Sequence, residues 1–203
     1  MRWVYVLMKS VEGGEKILFE TIDILEKMGV PYFLMHGTLL GLYRDQAIIA
    51  EDSDMDIGIK MEDFRIHLDE MIDVFSAKGF RVRPISKPCK WIRTLWLYKY
   101  DTIMDLMGYF LYKDKRFCLS QAKENVAWYH SAKFFNSYTT LTFKGKVLPI
   151  PNDTEGLLAE AYGEDWRIPQ SRKFVITKII DYWSKVKEEM EKKYFGSIID
   201  RTN

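Results

Sequence analysis

The sequence predicts an α+β fold, in which a mixed β-sheet is flanked by helices and followed by a C-terminal helical segment. Apolar residues recur at helical spacing before Gly29 and Pro31, which predicts a helix over about 14–28. Three runs rich in β-branched and aromatic residues predict strands: 80–85, 91–99 and 102–111. Apolar positions spaced as on one helix face predict a long helix over about 176–190.

The remaining elements follow in order along the chain. They are a β-type run at 32–35, a short helix at 39–44 after a Gly37-Thr38 turn, a strand at 55–59, a helix at 64–75 and a strand pair around 138–149. Residues 112–137 lack clear periodicity and mix lysines with aromatic side chains, so we interpret them as an insertion that either recognises a sugar acceptor or serves as a plain lid. Without an internal repeat or a Gly/Ser linker, 1–203 is expected to form a single domain with a helical C-terminal extension over about 153–203.

Composition argues against several classes of function. Thirty basic and 29 acidic residues give a formal charge of +1, so the totals do not favour nucleic acid or an anionic membrane as a partner. The apolar run at 3–8 is too short for a signal-peptide core or a membrane span, which predicts no transmembrane segment. Cys89 and Cys118 lie far apart and fit two incidental thiols in a reducing cytosol, so we expect a cytoplasmic protein.

A pair of spaced aspartates carries the strongest chemical signal. Asp54 and Asp56 are two residues apart at a predicted strand, so their carboxylates project from the same face. Two carboxylates held this close repel each other unless a cation lies between them. Hard carboxylate oxygens suit Mg²⁺ or Mn²⁺, which usually shares its other positions with water and substrate phosphates. A solvated acidic turn is the alternative reading of the same residues.

Residues before and after this pair predict the rest of a phosphate-handling site. His36, Gly37 and Thr38 end a predicted strand just before a helix, where exposed backbone N–H groups form a phosphate site. Arg44, on that helix, can neutralise phosphate oxygens with bidentate donors, unless it is a plain surface arginine. Asp105 lies within an apolar strand, where a charge is costly without a partner, so it is the candidate third metal ligand.

Other signatures are missing from the sequence. The three histidines share no spacing that suggests zinc, and His36 is as well explained by packing or capping as by contact with substrate. No G-x-S-x-G, Walker A or G-x-G-x-x-G sequence occurs, which argues against the commoner hydrolase, P-loop and dinucleotide-binding sites.

Taken as an ordered set, these motifs resemble the LicD/fukutin-type phosphotransferases, which have a nucleotidyltransferase fold. The resemblance rests on five blocks: 36–44, 49–59, 149–151, 157–158 and 161–166. It implies a nucleotidyltransferase-like mixed sheet, Gly37 and Thr38 as the glycine-plus-hydroxyl turn, and Asp52 as the leading acid of the family's acidic run. Asp54, Asp56 and Asp105 would then be the metal-binding and catalytic carboxylates. The chain departs from the pattern at Ser53, which replaces an Asp, and at His36, which stands where glycine is common.

The resemblance implies transfer of a phospho-alcohol, such as phosphocholine or phosphoribitol, from a CDP-alcohol to a glycan hydroxyl. Catalysis would then depend on positioning and on charge stabilisation by Mg²⁺ or Mn²⁺. The first alternative is a nucleotidylyltransferase that moves NMP from an NTP to a small molecule or a protein. The second is a nucleotide-binding module that has kept the fold without turnover.

Overall fold

We describe the protein from a computed structural model, which covers residues 10–86, 91–119, 126–170, 178–179 and 183–195. The helices are α1 (Val11–Lys27), α2 (His36–Asp45), α3 (Met61–Ile66), α4 (Leu68–Ala77), α5 (Thr154–Tyr162) and α6 (Trp183–Met190). A 3₁₀ turn at Ala132–Phe135 and a π-helical turn at Glu191–Phe195 complete the helical segments that are described. No helix within the described ranges is long and apolar enough to cross a membrane.

Within the described residues, ten strands form a large mixed sheet and a separate two-stranded sheet. The strands are β1 (Phe33–Leu34), β2 (Met55–Lys60), β3 (Arg81–Ile85), β4 (Thr94–Lys99), β5 (Thr102–Tyr112), β6 (Lys115–Leu119), β7 (Val126–Ser131), β8 (Tyr138–Phe143), β9 (Lys146–Pro151) and β10 (Lys178–Ile179). The path β1-β2-β5-β6-β7-β10 runs through the large sheet, and the hairpin β3–β4 joins it through β4 and β5. Among the described strands, β8 and β9 pair with each other and form the second sheet. The α+β prediction is therefore confirmed.

The parallel pairing of β2 with β5 sits at the centre of the fold. β5 reads as a nearly continuous apolar run, and five of the six residues of β2 are buried. Strands covered on both faces have this composition, because neither set of alternating side chains meets water. The helices α1 and α3 pack against β5, α2 packs against β2, and the buried side chains form one contiguous core. The antiparallel neighbour of β5 on the other side is β4.

Two local predictions need correction. The helix α2 begins at His36, so Gly37 and Thr38 lie in its first turn and not in a turn that precedes it. The apolar stripe over 64–75 belongs to two helices, α3 and α4, which meet at His67. Apolar spacing reports which side is buried and does not detect a change of helix direction that keeps the same side inward.

The segment 112–137, for which the sequence shows no periodicity, contains two strands of the large sheet. β6 pairs with the end of β5, and β7 pairs with β6. Aromatic and charged side chains alternate here without a clear polar face, since Phe117 and Arg116 are both buried. The pattern of alternation that reveals a half-buried strand is therefore missing.

The prediction of one long C-terminal helix was wrong. Lys178 and Ile179 form β10, which pairs with β7, and the helix α6 begins only at Trp183. Tertiary pairing with an open strand edge outweighs helical spacing at these two residues. Ile176 and Ile180, which contributed to the prediction, lie outside the described residues, as does Cys89.

Candidate functional site

Three aspartates meet where β2 and β5 begin. Asp56 of β2 is the direct cross-strand partner of Asp105 of β5, so both side chains leave the same face of the sheet. Asp54 lies two residues before Asp56, and Asp56 and Asp105 are 9% and 7% exposed. The structure thus places Asp56 and Asp105 side by side, with Asp54 two residues before Asp56.

The first turn of α2 fastens Asp56 in place. The backbone N–H of Asp56 donates a 2.8 Å hydrogen bond to the buried Thr38 hydroxyl. The Gly37 backbone N–H donates to the Asp56 carboxylate, which lowers the pKa of that carboxyl and opposes the larger effect of burial. A helix N-terminus favours negative charge at this point. In the structure, the predicted glycine and hydroxyl therefore hydrogen-bond to Asp56 of the protein itself.

Asp52 and Ser53 complete the acidic loop. A Cβ at residue 37 would overlap the Asp52 carboxylate, so any larger residue there would displace Asp52 from its position against α2. The Ser53 backbone N–H donates to Asp52 at 3.0 Å, and the Ser53 hydroxyl donates to Asp54 at 3.1 Å. Serine thus supplies a hydrogen-bond donor at the position where the related family has another negative charge.

Burial acts on Asp52, Asp54 and Asp56, and repulsion by neighbouring carboxylates acts on Asp52 and Asp56. Burial raises the pKa of Asp56 well above its usual range, and the charges of Asp54, Asp105 and Asp52 raise it further. Burial also raises the pKa of Asp54, and burial together with the charge of Asp54 raises the pKa of Asp52 to about 6. The site therefore concentrates negative charge that only a bound cation or protonation can relieve.

His36 lies at the base of the site in an unusual backbone conformation. Its φ is 49°, in the left-handed region that favours glycine, which agrees with the glycine common at this position in the family it resembles. The imidazole Nε2 lies 2.6 Å from the Tyr109 hydroxyl, and the ring of Trp128 packs edge-on against it. Burial lowers the pKa of His36 to about 3, so the imidazole is neutral at physiological pH.

The Arg44 guanidinium binds two partners outside the acidic cluster. It forms three short hydrogen bonds to the carboxylate of the adjacent Asp45, and its Nη1 donates to the backbone carbonyl of Trp166 at 3.3 Å. The ring of Tyr43 packs against Trp166, so this contact fastens α2 to the segment after α5. A role of Arg44 in binding phosphate remains a prediction.

The donor set fits a small hard cation that is completed by substrate. Across the described part of the chain, no three His, Cys, Asp or Glu side chains are gathered closely enough to hold a metal ion by themselves. Mg²⁺ is usually bound through one or two carboxylates together with substrate phosphates, so the adjacent Asp56 and Asp105 provide what it needs from the protein. The accumulated negative charge favours such an ion further.

Sequence reasoning missed three residues at the site: Tyr109, Tyr162 and Cys118. Tyr109 follows Asp105 by four strand positions, so the alternation of β5 places it on the same face and could have revealed it. Tyr162 lies within electrostatic range of Asp56, Asp52 and Arg44, and its only signal was membership in the 161–166 block. Cys118 is fully buried, hydrogen-bonds with Tyr109 and lies near Asp105, and no sequence pattern pointed to it.

Comparison with known proteins identifies relatives of this chain. Residues 29–153 match the LicD/FKTN/FKRP nucleotidyltransferase domain. The protein named ribitol-5-phosphate transferase FKTN from Homo sapiens is 29% identical over 163 residues, which are 78% of this chain and 34% of that protein. The uncharacterized protein RP689 from Rickettsia prowazekii is 40% identical over 92 residues, which are 39% of this chain and 34% of that protein. The chain thus spans about a third of the length of these relatives.

Solved structures give a weaker likeness. The solution structure of the antibiotic-resistance factor ANT(2'')-Ia superposes with a TM-score of 0.43 at 12% identity, over 67% of this chain and 63% of that one. A crystal structure of ANT(2'')-Ia in complex with adenylyl-2''-tobramycin gives 0.42 at 11% identity, over 68% of each chain. Family membership therefore rests on the sequence match, which covers more than half of the chain and includes the acidic pair, the α2 turn and Asp105. This chain belongs to the LicD/FKTN/FKRP nucleotidyltransferase-domain family.

Proposed function

We propose that the chain is a metal-dependent transferase that moves a phospho-alcohol, such as ribitol 5-phosphate or phosphocholine, from a CDP-alcohol to a glycan hydroxyl. The proposal depends above all on the pairing of Asp56 with Asp105 across two parallel strands, beside the N-terminus of α2 and next to Asp54. The name of the human relative, which describes a ribitol-5-phosphate transferase, supports the choice of transferred group.

The residues have separate roles in this reaction. The acceptor hydroxyl gives its proton to the Asp105 carboxylate while its oxygen bonds to the phosphorus that carries the alcohol. The bond from that phosphorus to the bridging oxygen breaks, and CMP leaves with the electron pair. Mg²⁺ or Mn²⁺ held by Asp54, Asp56 and Asp105 together with the donor phosphates would supply neutralisation of the donor diphosphate and of the leaving nucleotide. Thr38 and Gly37 keep Asp56 in position through the contacts of the α2 turn.

Three further residues belong to the proposed donor pocket. His36 presents a neutral imidazole next to Tyr109, which suits a hydrogen bond to the donor without adding charge. Asp52 borders the α2 turn, where it can accept hydrogen bonds from donor hydroxyls. Arg44 is the basic residue in the last turn of α2, and its partners in the structure are Asp45 and the backbone carbonyl of Trp166.

Donor binding is the first test of this proposal. CDP-ribitol, CDP-choline, CDP-glycerol, CTP and ATP would each be added with and without Mg²⁺ or Mn²⁺ while the melting temperature is recorded. A ligand that binds only the folded state at about 100 times its Kd stabilises it by about 2.7 kcal/mol. We expect a metal-dependent rise with one CDP-alcohol. A rise with nucleoside triphosphates alone would indicate nucleotidylyl transfer, and no rise with any CDP-alcohol would contradict the assigned donor.

Turnover is the second test, with the mass of the product as the readout. We expect CMP release and an acceptor heavier by one phospho-alcohol, whereas nucleotidylyl transfer would add NMP. Asp54→Asn and Asp105→Asn should each lower turnover by about 100-fold or more, since losing a charge that organises the transition state costs several kcal/mol. Asp73→Asn, at an exposed position of α4, is the matched control and should leave turnover unchanged. Full activity of Asp54→Asn at saturating metal would refute the site.

A further inference from the structure

One row of side chains extends the acidic site sideways across the large sheet. Arg83 of β3 pairs with Trp96 of β4, Trp96 pairs with Asp105 of β5, and Asp105 pairs with Asp56 of β2. Directly paired residues point to the same face, so all four side chains lie on the face that carries the aspartates. With strands about 4.8 Å apart, the backbone of Arg83 lies about 10 Å from that of Asp105.

A second cation and a second ring stand beside this row. Arg81 pairs with Tyr98, and its guanidinium lies 4.4 Å from the centre of the Tyr98 ring. The Arg83 guanidinium lies 5.0 Å from the centre of the Trp96 ring, and the two rings meet edge to face at 6.3 Å. We call these four residues, Arg81, Arg83, Trp96 and Tyr98, the hairpin platform. Three of them are partly exposed and Arg81 is exposed, so a ligand can reach the platform from solvent.

The platform combines two recognition chemistries. Aromatic faces contact the C–H surface of a sugar ring, while a planar guanidinium offers five donors in a fork that matches phosphate oxygens. The Arg83 guanidinium is also within hydrogen-bonding reach of the Tyr98 hydroxyl, and Arg83, Arg81 and Asp105 all lie within electrostatic range of that hydroxyl. The cations therefore face the same space as the proposed proton acceptor. The two guanidinium groups supply the positive charge that attracts an anionic ligand to this position beside the carboxylates.

The two sides of Asp105 differ in what they can bind. On the β2 side, the α2 turn meets Asp56 through Thr38, which is the place for the donor phosphates. On the β4 side, the neighbour of Asp105 is Trp96 and the hairpin platform follows. A nucleophile must approach the phosphorus opposite the leaving group, so a donor on the β2 side leaves the β4 side for the acceptor.

We propose that the hairpin platform is the acceptor subsite and that it binds a sugar that already carries a phosphate group. This inference rests on the proposed transferase function and names the class of its acceptor. Trp96 and Tyr98 contact the sugar ring, Arg83 and Arg81 bind its phosphate, and the ring's free hydroxyl is directed to Asp105. The sugar phosphate is held across β3 and β4, with the reacting hydroxyl toward β5.

Binding of a defined probe tests the subsite without requiring the natural acceptor. N-acetylglucosamine 6-phosphate would be titrated into the protein with saturation-transfer NMR as the readout. N-acetylglucosamine is compared by the same titration, and inorganic phosphate, which has no carbon-bound protons, is compared by its competition with the sugar phosphate. We expect the sugar phosphate to bind at least about tenfold more tightly than either comparison, a difference of about 1.4 kcal/mol. Equal binding of inorganic phosphate, or no saturation transfer to the sugar phosphate, would overturn the proposal.

Variants locate the binding on the platform. Arg83→Gln should weaken probe binding by about tenfold and Arg83→Lys by less, because lysine keeps the charge and loses the fork. Trp96→Phe keeps a ring and tests stacking without emptying the position. The control is Lys144→Gln, which removes a cation lying 5.7 Å from the Phe143 ring at the β8–β9 turn. Unchanged probe binding in Arg83→Gln would refute the subsite.

A donor measurement separates the two proposals. The metal-dependent rise in melting temperature with a CDP-alcohol should be the same in wild type, Arg83→Gln and Trp96→Phe, because the donor lies on the β2 side of Asp105. Loss of the donor response in Arg83→Gln would assign the platform to the donor and overturn the acceptor subsite. A wild-type protein without any donor response would contradict the proposed function, whereas a normal donor response with platform-independent probe binding would contradict only the subsite.

Discussion

Replacing Asp52 with asparagine should stabilise the protein in the absence of metal. Burial and the neighbouring charge of Asp54 raise the pKa of Asp52 from 3.8 to about 6. A carboxyl whose pKa is higher in the folded than in the unfolded state binds its proton more strongly when folded. Ionisation at neutral pH therefore costs stability. A shift of about two pKa units corresponds to about 3 kcal/mol.

Partial exposure reduces this cost through solvent screening, to about 1–2 kcal/mol. Asparagine removes the charge, and its carbonyl oxygen can keep the hydrogen bond from the Ser53 backbone N–H. For a chain of this size we expect the melting temperature to rise by about 3–6 °C at pH 8. The gain should fall to roughly half by pH 5, because the wild-type carboxyl is then largely protonated in the folded state and largely ionised in the unfolded state.

Thermal denaturation between pH 5 and pH 8, without divalent metal, measures both quantities. Asp73→Asn, which changes an exposed carboxylate on α4, should shift the melting temperature by far less. A lower melting temperature for Asp52→Asn at pH 8, or a gain that grows toward pH 5, would refute the reasoning. Added Mg²⁺ should reduce the advantage of the variant, since a cation relieves the same repulsion in wild type.

Two further predictions concern groups behind the aspartates. Tyr109→Phe removes the hydroxyl that lies 2.6 Å from the His36 imidazole. Because a buried ring nitrogen then loses its partner, the free energy of unfolding measured by urea denaturation should fall by about 1–2 kcal/mol. Unchanged stability would argue against this hydrogen bond. Burial raises the pKa of the Cys118 thiol to about 12. In a Cys89→Ser background, which leaves Cys118 as the one thiol of the sequence, the folded protein should therefore resist alkylation at pH 8 and react only when urea unfolds it. Rapid modification of the folded protein would contradict this burial.

The sequence was most informative about the aspartates and about the helices and strands with clear apolar periodicity, because few structures explain such patterns. Two aspartates at strand spacing predict a shared face, a charge within an apolar strand made Asp105 the third candidate, and the structure pairs Asp105 directly with Asp56. The helix at 14–28 and the strands at 80–85 and 102–111 were predictable because each buries one face or an entire run. These features depend on local periodicity and on the cost of burying charge.

Features that depend on pairing between distant segments could not be predicted from one sequence. The parallel register that places Asp56 beside Asp105 is set by the core, and β10 is a strand only because the edge of β7 lies next to it. The alignment of Arg83 and Trp96 with Asp105 likewise follows from the register of β3, β4 and β5. The positive φ of His36 is a further case, since histidine gives no sign of a left-handed backbone.

The parallel pair β2–β5 has a consequence for how the protein reaches its active state. Asp56 and Asp105 are separated by 49 positions in sequence, and β4, the other neighbour of β5, lies within that interval. The hairpin β4–β5 closes a short loop and can form early, whereas β2 must close a much longer loop before it meets β5. During refolding from denaturant, recovery of donor binding should therefore follow the slow, non-local step and lag behind the formation of hairpin structure.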